Sequence, residues 1–286
     1  MKFKFINCGL GLFLCLLVSF SQGQINSNFL FVDHLTHSNK NREALFLLDK
    51  ANEITNTDTS NYLRGMNYYF LKKPDSAALY LNTVALSSNF YTKSKFFGAL
   101  NLSYSKKYTE ALTAFSNFSV DTTQKYEQLI GIMRAGNYLL LRDHKKFDSV
   151  SAGFLYNDFR YSNEQTRLTE LKKDVIKLKK KSPAVAGLLS AVVPGLGKFY
   201  VGKKGAGLAA FAANGALAAM AFESYYRTKS FKSPQFITFG TLFTFFYVGN
   251  IFGSVFSVKQ QIRSVNGKIN NEILASIHVP VVRFFK

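Results

Sequence analysis

The residues that come nearest to carrying chemistry lie in one stretch, Pro194-Gly-Leu-Gly-Lys-Phe-Tyr-Val-Gly-Lys-Lys204. Gly197, Gly202 and Lys203 fit the spacing G-x-x-x-x-G-K, in which open backbone amides cradle phosphates and a following Ser or Thr holds Mg²⁺. Here the following residue is Lys204, and Phe199, Tyr200 and Val201 fill the interior where the amides would have to stay open. The spacing is met and the chemistry is not. Other candidates fail sooner. His34, His37, His144 and His278 are scattered, and Cys8 and Cys15 both lie in the apolar N-terminal run. No cluster has metal-ligand spacing, and no acid–base pair or nucleophile–base set emerges. The sequence therefore predicts no catalytic residue, no cofactor, no metal and no enzyme.

A second use of the same stretch is structural. Pro194 ends an apolar helix, Gly195 and Gly197 permit a tight turn, and Phe199-Tyr200, before Gly202, stand at headgroup level, where aromatic rings are favoured. Lys203 and Lys204 then stand at headgroup level before an apolar segment begins. Pro194, Gly195, Gly197, Tyr200, Gly202, Lys203 and Lys204 form an expected membrane-entry turn, with anionic lipid headgroups as partners.

The elements around the turn agree with that use. Lys2 and Lys4 precede an apolar run from Phe5 to Phe20, and Ser21-Gln22-Gly23 places small residues before Gln24. This is the pattern of a secretory signal over residues 1–23, cleaved or retained as an anchor. The formal charge of +19 on 286 residues would suit nucleic acid. The basic residues instead flank apolar segments, and an exported chain meets little nucleic acid, so a membrane surface is the expected partner. Ala184 to Val193 is too short to cross a bilayer, which needs about 20 residues. Residues 205–226 and 235–258 are long enough, the second without any charge. Within them Asn214 and Asn250 are the strongly polar side chains, at comparable depth in an antiparallel pair. Either they bond each other, with Gly249 and Gly253 letting the helices approach, or each bonds its own backbone.

Residues 24–161 show internal repetition. "REALFLL", "DSAALYL", "TEALTAF" and "DSVSAGF" align on Ala44, Ala77, Ala111 and Val150, spaced by 33, 34 and 39 residues. Lys72-Lys73, Lys106-Lys107 and Lys145-Lys146 fall in the expected inter-helix turns, and Pro74 suits a helix first turn. The period, with Gly65, Tyr68, Ala77 and Leu81 at their offsets, resembles the tetratricopeptide repeat. That resemblance implies stacked helix pairs presenting a surface for a protein or peptide ligand. Residues 162–183 follow, with Leu168, Leu171, Val175 and Leu178 in a stripe among lysines. They read either as a basic amphipathic helix lying on a bilayer or as a capping helix. "SPAVAGLLSAVVPGLGKFYVGKKGAG" resembles a bacterial family of membrane domains with a P-G-x-G-x-x-Y-x-G motif before two transmembrane helices. The resemblance carries no known reaction.

The expected architecture is all-α: a tetratricopeptide-like array, a linker helix, a short re-entrant or interfacial segment at 184–204, a transmembrane hairpin over 205–258 and a polar tail at 259–286. The expected role is a protein-binding adaptor in the bacterial inner membrane with periplasmic repeats, or else a part of an envelope transport or membrane-protein insertion machinery.

Overall fold

The computed structural model describes residues 30–50, 57–178 and 181–286, so the expected signal at 1–23 lies outside the described residues. The described chain is α-helical, with no strand among those residues. It forms two compact units: residues up to Leu168 joined by Ile273–Lys286, and Thr169–Glu272.

The first unit is a series of helix pairs: α1 (residues 30–37) with α2 (Asn41–Lys50), α3 (Thr57–Phe70) with α4 (Pro74–Asn82), and α5 (Tyr91–Tyr104) with α6 (Tyr108–Thr113). A short α7 (Val120–Lys125) precedes α8 (Glu127–Leu140) and α9 (His144–Ser151). One turn geometry joins each pair. Asn39, Lys72, Lys106 and Arg142 all adopt positive φ, between 57° and 63°. The next residue's amide then bonds a carbonyl five back, as in Lys73 to Tyr68 and Lys107 to Leu102, both at 2.9 Å. No glycine marks these turns, although the left-handed region disfavours other residues.

The turns correct the register of the fourth pair. Phe147 donates to Asp143 as Ala77 does to Lys73 and Ala111 to Lys107. Phe147, not Val150, is thus the equivalent residue, and Lys145-Lys146 lie inside α9 while Arg142-Asp143 make the turn. Small residues sit where helices cross. Ala44, Ala77 and Ala111 are at most 1% exposed, and a Cβ on Gly65 would stand 2.5 Å from Leu81 Cγ.

A buried asparagine recurs in the first helix of three pairs. Asn67, Asn101 and Asn137 each donate to the carbonyl four residues back, at 2.7–2.8 Å. Thr36 Oγ1 receives a bond from Asn67 at 2.9 Å, and Ser103 Oγ donates to Asn137 at 2.8 Å, both across neighbouring pairs. Satisfying these amides internally offsets the cost of burying them. At the middle junction the corresponding position is Tyr69, whose hydroxyl turns elsewhere.

It turns toward the end of the chain. Helix α14 runs unbroken from Pro234 to Phe284, so residues 259–286 are not a polar tail. Ile273, Ile277 and Val281 are fully buried, a spacing of four that keeps them on one helix face. They belong to the first unit. A Cβ on Gly136 of α8 would lie 2.3 Å from Ile277 Cγ2, so glycine there lets the helix seat. Phe285 packs on Phe96, Phe97 and Tyr126 with ring centroids 5.2, 6.3 and 6.1 Å apart. Arg283 closes the contact on Glu164 at 2.7 Å. The sequence missed this because an i, i+4 stripe among lysines and asparagines also fits a free amphipathic helix.

The stripe of α10 (Ser162–Leu178) is likewise inside the protein. Leu168, Leu171 and Val175 are 0–2% exposed, so this stripe does not lie on a bilayer. The second unit holds α11 (Pro183–Val192), α12 (Leu196–Val201), α13 (Lys204–Thr228) and the longer first part of α14. Helices α13 and α14 are long and apolar enough to cross a membrane, and only 22% and 17% of their most apolar windows are buried.

Replacing Ile277 by Ala should destabilise the first unit by about 2–5 kcal/mol, the range for emptying a well-packed aliphatic site. Denaturant unfolding of the detergent-solubilised chain, followed by a probe on the helix pairs, would measure it.

Candidate functional site

The glycine stretch forms the return of a hairpin laid against α14. Lys181 Nζ reaches Gln261 Oε1 at 3.3 Å, near the polar end of the apolar span. Helix α11 then runs antiparallel to α14: Gly187 faces Val255, and the Tyr247 hydroxyl donates to the Ala191 carbonyl. After the turn, Gly197 returns to Ser254, and Val201 packs with Ala186, Val258, Tyr200 and Ile262. The segment therefore goes in along α14 and comes back to the same end. Its ten-residue first arm, about 15 Å at 1.5 Å per residue, is half of a bilayer core.

Each residue type in the motif has a local reason. Ser182 Oγ caps α11, with Pro183 at its first position. Gly195 and Gly202 take φ of 94° and 92° at the two ends of α12. A Cβ on Gly195 would stand 2.2 Å from the Gly207 carbonyl oxygen, so α12 and α13 approach backbone to backbone. A Cβ on Gly197 would stand 2.1 Å from the Ala186 carbonyl oxygen. Tyr200 accepts a bond from the Ser182 amide at 3.1 Å and so ties the returning arm to the start of the outgoing one. Lys203 is the residue before α13, and Lys204 is its first.

The amides of the stretch are committed to the protein. Gly197 donates to Ser190 Oγ at 3.0 Å, and Ser190 in turn donates to Ser254 Oγ at 2.7 Å. Leu196, Lys198, Phe199, Gly202 and Lys203 all donate to backbone carbonyls nearby. These amides, which phosphate would need, are spent on closing the turn.

The asparagines do not bond each other. Asn214 Nδ2 donates to the Ala210 carbonyl at 2.8 Å, while Asn214 Oδ1 and both polar atoms of Asn250 are buried without a partner. Both side chains line one cavity of about 550 Å³ between α13 and α14, together with Lys198 and Gly249. Gly249 and Gly253 have open space where a Cβ would go, so neither brings the two helices together. The glycines that make close contacts are Gly187 against Val255, Gly195 against Gly207, and Gly197 against Ala186 and Ser254. Ser190 and Ser254, absent from the expected site, hold its centre. Their signal was only two serines on apolar helices.

In the first unit, the end of α14 packs on the first helices of three pairs, α3, α5 and α8. His278 stands between two hydroxyls, with Tyr69 at 2.7 Å from Nε2 and Tyr104 at 2.7 Å from Nδ1. Beside it a cleft of about 470 Å³ remains, lined by Tyr69, Phe70, Lys72, Asn101, Tyr104 and His278. Burial, with Tyr104 adding to it, pushes Tyr69 to about 12, so its hydroxyl keeps its proton. Burial also holds His278 below its ordinary value.

No family model matches the chain, and comparison with curated proteins and with solved structures finds no match.

Gly197→Ala should cost about 1–3 kcal/mol through overpacking against the Ala186 carbonyl, whereas Gly253→Ala should be nearly neutral. Thermal denaturation of the two variants in one detergent would check the contrast. Acidification offers a second test. A neutral imidazole donates to one tyrosine and accepts from the other, and protonation makes both nitrogens donors. Because the folded pKa is depressed, the unfolded state takes up the proton first. The contribution of His278 is complete above about pH 6.5, the unfolded value, and declines below it toward the lower folded value. Wild type should therefore lose more stability than His278→Gln between neutral pH and pH 5, as read from denaturant midpoints.

Proposed function

We propose that this chain is an exported, membrane-anchored protein of tetratricopeptide-like repeats that acts as a protein-binding adaptor or scaffold at the bacterial cell envelope. Its hairpin sits in the inner membrane, its repeats lie on the periplasmic side, and no reaction is assigned to it. The observation that carries this reading is the aromatic cleft. Phe70 and Tyr104 are 45% and 37% exposed beside it, and Lys72 adds a cation at its edge. A partner segment carrying an apolar residue next to an acidic one fits such a surface, since buried aromatics dominate interface energy. The filling of the neighbouring face by α14 narrows the expected contact to this cleft. Support for the topology comes from the tail and the repeats sharing one compact unit, which two intervening spans allow.

A second reading is favoured by one observation. The cavity between α13 and α14 contains buried amide groups without partners, and lone membrane polar groups commonly mark a path or binding site. A component of an envelope transport or membrane-protein insertion machinery would use such a cavity.

A photo-crosslinking residue at position 70 or 104, in native membranes, should give a discrete adduct with one protein, while the same residue at exposed position 110 should not. Alkaline phosphatase fused after Tyr156 should be active and after Lys232 inactive. Absence of any specific adduct at 70 and 104 would reject the adaptor reading. A translocase subunit as the captured partner would favour the second.

A further inference from the structure

The cavity between α13 and α14 combines three features that packing alone does not require. First, it is polar at a depth where polarity is costly. Asn250 is 5% exposed and Asn214 2% exposed, and three of their four amide atoms have no partner. An unmet buried polar group costs about 1–3 kcal/mol, so a chain that leaves three of them is arranged for something to meet them. Second, a cation lines the same space. Lys198 lies on the returning arm, and no ion pair forms at its side chain among the described residues. Third, the space is made by small residues. Four alanines of α13 and Gly249 line it, while Phe245 and Phe246, 79% and 53% exposed, stand at its edge.

The available groups define what would fit. The Lys198 ammonium and the Asn250 amide nitrogen donate, which suits an oxygen anion. The Oδ1 atoms of Asn214 and Asn250 can only accept, so a simple carboxylate would leave them unmet. The occupant must carry a hydrogen-bond donor as well as an anionic oxygen, and a neutral hydroxyl supplies it without setting a second cation beside Lys198. It must also carry apolar chains, to leave past Phe245 and Phe246 into hydrocarbon. At about 550 Å³ the space is within the usual range of small-ligand sites. We propose that this cavity is a binding site for an anionic lipid whose headgroup bears a hydroxyl, its phosphate on Lys198 and Asn250 and its hydroxyl on the asparagine oxygens. The assignment rests on reading α13 and α14 as membrane spans.

Full-length protein in phosphatidylcholine nanodiscs containing a minor fraction of phosphatidylglycerol would be released and weighed by native mass spectrometry. A parallel sample would contain oleate instead. Alkaline carbonate extraction of native membranes is run first, and release of the protein there would sink the membrane reading itself. With the protein retained, wild type should carry phosphatidylglycerol and little oleate. Lys198→Met and Asn250→Leu should each reduce the adduct about tenfold, the loss of one charge-assisted hydrogen bond. Lys232→Met, an exposed lysine in the loop between α13 and α14 and outside the cavity, should leave it unchanged. Equal retention by wild type and both cavity variants, or an equal loss with Lys232→Met, would mean a non-specific lipid annulus and overturn the site. Oleate held as well as phosphatidylglycerol would overturn the hydroxyl requirement. If Lys198→Met and Asn250→Leu fail to fold, Lys198→Arg and Asn250→Asp take their place. The arginine should keep the adduct and the carboxylate should expel it, and retention by Asn250→Asp would reject the proposal.

Discussion

Backbone groups buried away from water need hydrogen-bond partners, and the second unit is arranged around that constraint. Helices α13 and α14 meet it through their own backbone ladders. The turn between α11 and α12 cannot, so it is closed by side chains. Ser190 Oγ accepts from the Gly197 amide and donates to Ser254 Oγ, and the Tyr200 hydroxyl accepts from the Ser182 amide. The hydroxyls are neutral, short and buried, which keeps their desolvation cost small. A carboxylate in the same place would add the cost of burying a charge.

Close approach is the second requirement, because these bonds form only when backbones nearly touch. Gly197 against the Ala186 carbonyl and Gly195 against the Gly207 carbonyl supply it. The same stretch therefore cannot serve as an open nest for phosphate. Its glycines are consumed by packing and its amides by turn closure. What remains chemically free lies one step away, in the amides of Asn214 and Asn250 and the ammonium of Lys198.

The first unit answers a different problem. Stacked helix pairs leave the face made by their first helices uncovered, and this chain covers part of it with its own end. Ile273, Ile277 and Val281 supply the apolar contact, each burying an aliphatic side chain worth about 1.5–3 kcal/mol. Gly136 and the Tyr69–His278–Tyr104 arrangement fix where the helix sits. The break at Tyr69 in the series of hydroxyls that Thr36 and Ser103 offer to a neighbouring asparagine is the same event seen from the repeats. A hydroxyl that would serve the neighbouring pair serves the terminal helix instead.

Much of this could be read from residue order. The all-helical content, the two apolar spans and the short apolar segment between Pro183 and Val193 follow from periodicity and length, which are local properties. The helix pairs were legible for the same reason, through Ala44, Ala77 and Ala111. The fourth pair was misregistered because its crossing residue is Phe147, large where the others are small, and because a left-handed Arg142 leaves no glycine to mark the turn. The tail was misjudged because a stripe spaced by four says only that one face is apolar, not which surface covers it. Whether Asn214 meets Asn250, whether Gly253 or Gly197 makes the tight contact, and which amides the motif leaves open all depend on distances between segments far apart in the chain. The sequence determined which elements form. Only tertiary structure decided which faces they share, because burial is a property of pairs of surfaces and not of either one.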